Sequence, residues 1–178
     1  LFRLRQIDDL FGGRIQTLAS NAFNIAAATK DADLLVGSVL IPGALTPKLV
    51  TEAMVKTMKP GSAIVDVAID QGGCIEPTAK HGATYHDKPT FKYPVNGGEV
   101  VCYSVGNMPG AVARTSTFTL TNATMPYMVD LANKGWKKAC QDDKALARGI
   151  NTYDGKVYFK GVSDALGYEL HCTCDILK

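Results

Sequence analysis

Asp70 opens the quartet Asp70-Gln71-Gly72-Gly73 at the end of the apolar run Ile64-Val-Asp-Val-Ala-Ile69. An apolar run of this length suits a strand covered on both faces, as in a parallel sheet. Ligands of such sheets bind beyond the carboxyl ends of the strands, which is where Asp70 falls. Gly72 and Gly73 carry no Cβ, so the backbone there can approach a flat ring closely or take positive φ. The same pattern describes equally well a turn after a core strand, with Asp70 as a solvated turn residue. The other chemistry-bearing residues are scattered. His171-Cys172-Thr173-Cys174 sets metal-capable side chains close together, but one Cys-x-Cys lacks the paired spacing of a zinc site, so no metal is expected. The five cysteines (74, 102, 140, 172 and 174) are odd in number and widely spread, which argues against a disulfide framework and reads as reduced thiols. Lys134 and Lys138 share a helix face and read as solvated surface.

The elements that must position Asp70 follow from periodicity. Leu1, Leu4, Ile7 and Leu10 lie three apart on one helical face, which Gly12-Gly13 end. Residues 14–18 read as a short strand. Ser20-Asn21 caps a helix running to Lys30. Residues 34–41 are too apolar to have a wet face and read as a second buried strand. Pro42-Gly43 marks a turn, and Thr46-Pro47 suits an N-cap with proline at the first helical position. Leu49, Val50, Ala53, Met54 and Met58 give that helix its apolar stripe before Lys59-Pro60-Gly61 closes it. Residues 76–98, broken by Pro77, Pro89, Pro94 and Gly97-Gly98, read as a loop, and residues 99–105 as one more strand. A helical region follows from Thr115 to Cys140 with a kink expected at Pro126. Tyr127, Leu131, Gly135 and Ala139 recur along it at four-residue spacing. Asp154-Gly155 turns the chain before a short strand, and residues 162–170 form a last helix.

Strand and helix alternate with short connections, which predicts an α/β protein built on a doubly wound, Rossmann-like parallel sheet. At 178 residues, 46% of them hydrophobic and 20% charged, with a net charge of +2, the composition is that of an ordinary globular protein and calls for no nucleic acid. No stretch approaches the ~18 consecutive apolar residues of a membrane span, and no signal peptide is visible, so a cytoplasmic site is expected. The chain opens on Leu1 with a helix already under way, which reads as part of something longer.

Several unbroken blocks resemble NAD-dependent L-alanine dehydrogenase. They are Gly37-Ser-Val-Leu-Ile-Pro-Gly43, Pro47-Lys-Leu-Val50, Val65-Asp-Val-Ala-Ile-Asp-Gln-Gly-Gly-Cys-Ile-Glu76 and Asn107-Met-Pro-Gly-Ala-Val-Ala-Arg-Thr-Ser-Thr117. Leu120-Thr-Asn-Ala-Thr-Met-Pro-Tyr127 and Ala132-Asn-Lys-Gly-Trp136 continue the likeness. The resemblance implies oxidation of L-alanine to pyruvate and ammonia with hydride passed to NAD, reversibly, in a homo-oligomer that is often a hexamer. It implies that Arg3 and Ser20 contact the adenosine half of NAD and that Val39 and Leu40 pack on the cofactor. Val67, Ala68, Ile69 and Asp70, with Val105, Gly106, Asn107 and Met108, would line the nicotinamide end. Asp70 would be the catalytic carboxylate. The domains implied are a partial NAD-binding domain over residues 1–110, a connecting helix over 111–140, and the carboxyl-terminal part of the substrate domain over 141–178.

The family's glycine-rich phosphate turn is not in this sequence, which holds no G-x-G-x-x-G, so a sheet lacking its first βα unit is expected. None of His81, His86 and His171 falls in a motif that matches the family's catalytic histidine. Two other functions compete. One is a catalytically inactive NAD-domain unit acting only in folding or assembly, which the missing glycine turn favours. The other is a transhydrogenase-type NAD domain, against which Asp70-Gln-Gly-Gly speaks.

Overall fold

The computed structural model describes residues 1–42 and 44–178, so the turn expected at Pro42-Gly43 lies in part outside the described residues. The chain divides into two units, residues 1–40 with 46–106, and residues 41–45 with 107–178.

In the first unit, helix α1 (Phe2–Phe11) ends where Gly12 turns left-handed, as its glycine pair predicts. Of its expected apolar stripe, Leu4 and Ile7 are half-buried, while Leu1 and Leu10 are 84% and 72% exposed. Helix α2 (Ala22–Asp31) starts under the expected cap, with Asn21 Oδ1 accepting the Asn24 N–H at 2.9 Å. Strand β1 (Leu34–Gly37), helix α3 (Glu52–Val55) and strand β2 (Ala63–Asp66) follow. Helix α4 (Glu76–His81) and the hairpin of β3 (Thr90–Val95) and β4 (Gly98–Tyr103) complete the unit. The sheet order is β1-β2-β4-β3, with β1, β2 and β4 parallel and β3 antiparallel at the edge. The α/β class and the parallel core therefore stand as expected.

Five expectations change. Residues 14–18 form no strand, because β1 pairs only with β2 and nothing in the ladder extends to them. The strand expected over 34–41 stops at Gly37, and the one expected through Ile69 stops at Asp66. The two end together because Gly37 is paired with Asp66, beyond which β2 winds into the 3₁₀ turn Val67–Gln71 and offers no ladder. The helix expected to start at Thr46 is capped instead by Thr51. Thr46 is taken up by the 71–73 turn, and the N–H groups of Leu49 and Val50 are taken by Cys74 O. Residues 76–98 are not a loop. Asn96-Gly97 is a hairpin signal, Gly97 takes φ 87°, and Pro94 is tolerated because β3 is an edge strand that need not donate on its outer side.

Register sorts the two sheet faces. Leu35, Gly37, Ile64, Asp66 and Cys102 lie on one face, against α2, α3 and the segment around Ile75, where Val55, Ile64, Ile75, Val100 and Cys102 are fully buried. On the other face Leu34, Val36 and Val101 are 58%, 53% and 40% exposed. The sheet is thus covered on one face within this unit, not on both.

In the second unit, the 3₁₀ turn Met108–Val112 leads into helix α5 (Ala113–Asp142). Pro126, where a kink is expected, lies inside this helix. The helix departs from helical backbone at Gly135, with φ 72° and ψ 159°, a conformation glycine takes without penalty. Lys134 pairs with Asp130 and Asp142, and Lys138 with Asp142, as a solvated face should. Helix α6 (Lys144–Ala147), the hairpin β5 (Thr152–Tyr153) and β6 (Lys156–Val157), and helix α7 (Lys160–Leu166) follow. The hairpin turns at Asp154-Gly155 as expected, and the last helix lies a few residues earlier than expected, ended by left-handed Gly167. A further correction concerns the thiols. Cys172 and Cys174 form a disulfide, because the 3₁₀ turn Thr173–Asp175 folds the tail back and brings their Cα atoms within 5.2 Å. Cys74, Cys102 and Cys140 are free and buried. Among the described residues no helix is long and apolar enough to cross a membrane.

Burial in the core pushes the Cys102 thiol up to about 11 from its ordinary 9.0. The unfolded chain gives up this proton first, so the thiol's contribution is fully present below pH ~9 and lost as pH rises from ~9 to ~11, by up to about 2–3 kcal/mol. Cys102→Ala should flatten that decline, read as the pH dependence of the urea midpoint. An unchanged slope would rule the thiol out as its source.

Candidate functional site

Because β1, β2 and β4 run parallel, their carboxyl ends share one edge of the sheet, and the segments leaving Gly37, Asp66 and Tyr103 begin there. Val39 follows β1, half-buried against the core, and Leu40 beside it is 65% exposed. Val67, Ala68, Ile69 and Asp70 form the 3₁₀ turn after β2. Ala68 and Ile69 are buried, Val67 is 44% exposed and Asp70 is exposed. After β4, Val105 is buried and bridges Thr84, and Gly106 comes next. A Cβ on Gly106 would stand 3.1 Å from Asp70 Oδ1, so the carboxylate lies directly against this backbone.

Six further residues complete the account. Ser20 precedes the Asn21 cap at the amino end of α2, whose last residue is close in sequence to the start of β1. The short connection makes α2 antiparallel to β1 and turns Ser20 toward the carboxyl edge. Arg3 stands apart on α1, exposed, its guanidinium donating to Gln6 Oε1 at 3.3 Å. Asn107 and Met108 follow Gly106 in the chain and belong to the second unit, where Asn107 takes a left-handed φ of 54° before the Met108–Val112 turn. Lys80 is engaged by Glu52 at 3.0 Å, a pair that lowers the Glu52 carboxyl and raises the Lys80 ammonium. His81 stacks on Phe91 with 3.7 Å between ring centres.

What holds the Asp70 turn in place is a second carboxylate that the sequence reading passed over. Asp66 is fully buried at the end of β2. It accepts N–H bonds from Ala68, Cys74 and Ile75 at 3.2, 3.1 and 3.3 Å, and the Thr78 hydroxyl donates at 2.5 Å. The Cys74 thiol points at it from 3.6 Å, and burial followed by the repulsion of this carboxylate raises that thiol's pKa. From the other side, the Lys48 ammonium donates to Gly72 O and Gly73 O at 2.5 and 2.6 Å, and the Thr46 hydroxyl to Gly73 O at 2.8 Å. Gly73 has no room for a side chain: its φ is 72°, and a Cβ would meet Asp66 Oδ2 at 2.9 Å. One signal in the sequence points to Asp66. A carboxylate inside an apolar strand is costly unless donors meet it, and the glycines that follow let the chain turn back so that its N–H groups and a threonine hydroxyl can supply them.

The edge suits a ligand with an apolar, flat portion and an N–H-bearing or cationic end. Leu40 and Val67, in the segments that leave β1 and β2, expose hydrocarbon at this edge, and Gly106 leaves the space next to Asp70 free of a side chain. Gln71 Oε1, in the same turn, is buried without a hydrogen-bond partner and so offers an acceptor. No three metal-capable side chains converge among the described residues.

Comparison with known proteins adds to this geometry. Residues 1–160 match the family described as "Alanine dehydrogenase/PNT, C-terminal domain". An alanine dehydrogenase of Bacillus subtilis is 59% identical over 167 residues, covering 94% of this chain and 43% of that protein. One from Methanococcus maripaludis is 56% identical over 163 residues, covering 92% of this chain and 42% of that protein. A solved L-alanine dehydrogenase superposes with a TM-score of 0.75 at 46% identity, over 93% of this chain and 44% of the other. The chain spans less than half the length of these relatives.

Asp66→Asn keeps the shape but turns one oxygen into a donor facing N–H groups, and should cost about 2–4 kcal/mol. Lys48→Met, whose ammonium is near solvent, should cost under about 1 kcal/mol. Urea unfolding followed by far-UV circular dichroism measures both. A neutral Asp66→Asn would mean that the carboxylate does not hold the turn.

Proposed function

Because this chain belongs to the alanine dehydrogenase/PNT C-terminal domain family over residues 1–160, we propose that it supplies the cofactor-binding half of an NAD-dependent L-alanine dehydrogenase. The enzyme takes L-alanine, NAD and water to pyruvate, ammonia and NADH, and runs in reverse. The observation that supports this reading most is the meeting of Asp70 and Gly106 at the carboxyl edge beside exposed Leu40 and Val67. In this reading residues 1–110 are the NAD-binding domain, 111–140 a connecting helix and 141–178 part of the substrate domain, in a cytoplasmic homo-oligomer.

When bound, NAD supplies the acceptor for the hydride leaving the Cα of alanine. Val39, Leu40, Val67, Ala68, Ile69, Val105, Gly106, Asn107 and Met108 are the proposed contacts to it on the nicotinamide side, and Arg3 and Ser20 on the adenosine side. Leu40 and Val67 exclude water from the reacting face. Asp70 holds the substrate nitrogen and, once the ammonium has given up one proton to solvent, offsets the positive charge that grows on that nitrogen as the Cα–H bond breaks. Water then adds to the imine carbon, and ammonia leaves as pyruvate forms. The 3₁₀ turn fixes Asp70 at this place before substrate arrives, which lowers the ordering cost of the charged complex.

In the native protein, Asp70→Asn should lower NADH formation from L-alanine by roughly 10²–10³-fold. NADH affinity, read by its fluorescence, should stay as in the parent. A variant as active as the parent would overturn the role of Asp70, and lost NADH affinity would make it a cofactor contact instead.

A further inference from the structure

We propose that Cys172 and Cys174 form a thiol–disulfide exchange site for low-molecular-weight disulfides, with Cys172 as the attacking sulfur and Cys174 as the resolving one. The pair lies in residues 161–178, past the domain match over residues 1–160, and does not depend on the function proposed above.

Three observations separate these sulfurs from the rest. Both residues are exposed, whereas Cys74, Cys102 and Cys140 are buried with their thiols raised by burial. The disulfide spans only two positions. A ring that small removes little freedom from the unfolded chain, so it adds little to stability, and exposed disulfides of this kind are the ones open to exchange. The surroundings of the two sulfurs differ. The Cys174 N–H points at Cys172 Sγ from 3.3 Å and favours negative charge there, while Asp175 Oδ1 lies 3.7 Å from Cys174 Sγ and opposes it. The turn is held from outside the ring, since the His171 N–H donates to Val157 O at 2.8 Å and Gln141 Nε2 to Leu177 O at 2.7 Å. The sulfurs therefore stay close when the bond between them is opened.

With glutathione disulfide as the oxidant, the Cys172 thiolate attacks one of its sulfurs and a glutathione thiolate leaves, giving a mixed disulfide on Cys172. The Cys174 thiolate then attacks Cys172 Sγ, and the second glutathione leaves. Two protein thiols are oxidised, one glutathione disulfide is reduced to two glutathiones, and the two thiol protons pass to the departing thiolates through solvent.

The test is alkylation of the folded chain after equilibration at graded ratios of glutathione to glutathione disulfide, read by mass spectrometry of the tryptic peptide 161–178. The peptide should pass from two labels to none across the series and back again, with Cys74, Cys102 and Cys140 unlabelled until the chain is unfolded. Cys174→Ser should accumulate a glutathione adduct on Cys172, and several-fold faster than Cys172→Ser accumulates one on Cys174. Two labels at every ratio would show that no disulfide forms, and none at any ratio that it is inert. Either result overturns the proposal, and equal adduct rates in the two variants overturn the assignment of attacker and resolver.

Discussion

One peptide unit, Gly73–Cys74, lies between two opposite charges, and the carboxyl edge of the sheet depends on it. Its N–H faces the buried Asp66 carboxylate and its C=O faces the Lys48 ammonium and the Thr46 hydroxyl. A peptide dipole aligned in this way gains from both charges at once, and the Asp66 charge is stabilised by N–H donors where no cation reaches it. Removing Asp66 would leave three N–H groups without an acceptor in the core, which is costlier than the loss of any one bond, while the Thr78 hydroxyl would keep Ile75 O at 2.8 Å.

This clamp explains the local shape. For the Cys74 and Ile75 N–H groups to reach back to the end of β2, the chain must reverse within residues 67–73, and a continuing strand cannot do so. The Val67–Gln71 turn and the left-handed Gly72 and Gly73 make that reversal. The reversed segment then lies so close to β1 that a Cβ on Gly37 would stand 2.5 Å from Cys74 Sγ. Strand β1, the 66–75 segment and Thr46–Lys48 are therefore fixed together, and Asp70 is carried at the crest of the turn.

The sequence makes some of this legible and hides the rest for physical reasons. Asn21, Gly12 and Asp154-Gly155 act locally, through caps and turns decided by their own backbone, and each is found where its residue type predicts. Strand ends are set by partners far along the chain. Residues 38–41 and 67–69 are as apolar as the strands they follow, but no ladder partner continues beside them. Thr46 has the residue type of a helix cap, yet the carbonyls of residues 71 and 73, more than 20 positions away, claim its hydroxyl. The edge strand β3 was hidden by Pro94, which reads as a breaker unless the strand is known to be an edge, although Asn96-Gly97 carried the hairpin signal. For the site, the Asp70 quartet is legible because its glycines are unusual. Asp66 is not, because a single acidic residue in an apolar run looks like noise until its donors are located.

The two aspartates divide their work by solvent. Asp66 lies where water cannot follow, so its charge is spent on donors of the chain itself, backbone N–H groups and the Thr78 hydroxyl, and it can hold shape but not a ligand. Asp70, four residues on, is exposed at the strand edge with Gly106 against it, so its carboxylate stands where solvent reaches. Four residues on a 3₁₀ turn are enough to move a carboxylate from the core to the rim, and an extended strand of the same length would carry it beyond the end of the sheet instead. The buried charge thus sets the geometry in which the exposed one is placed. A substitution at Asp66 would act on the site through the position of residues 67–73, without that carboxylate touching anything bound there.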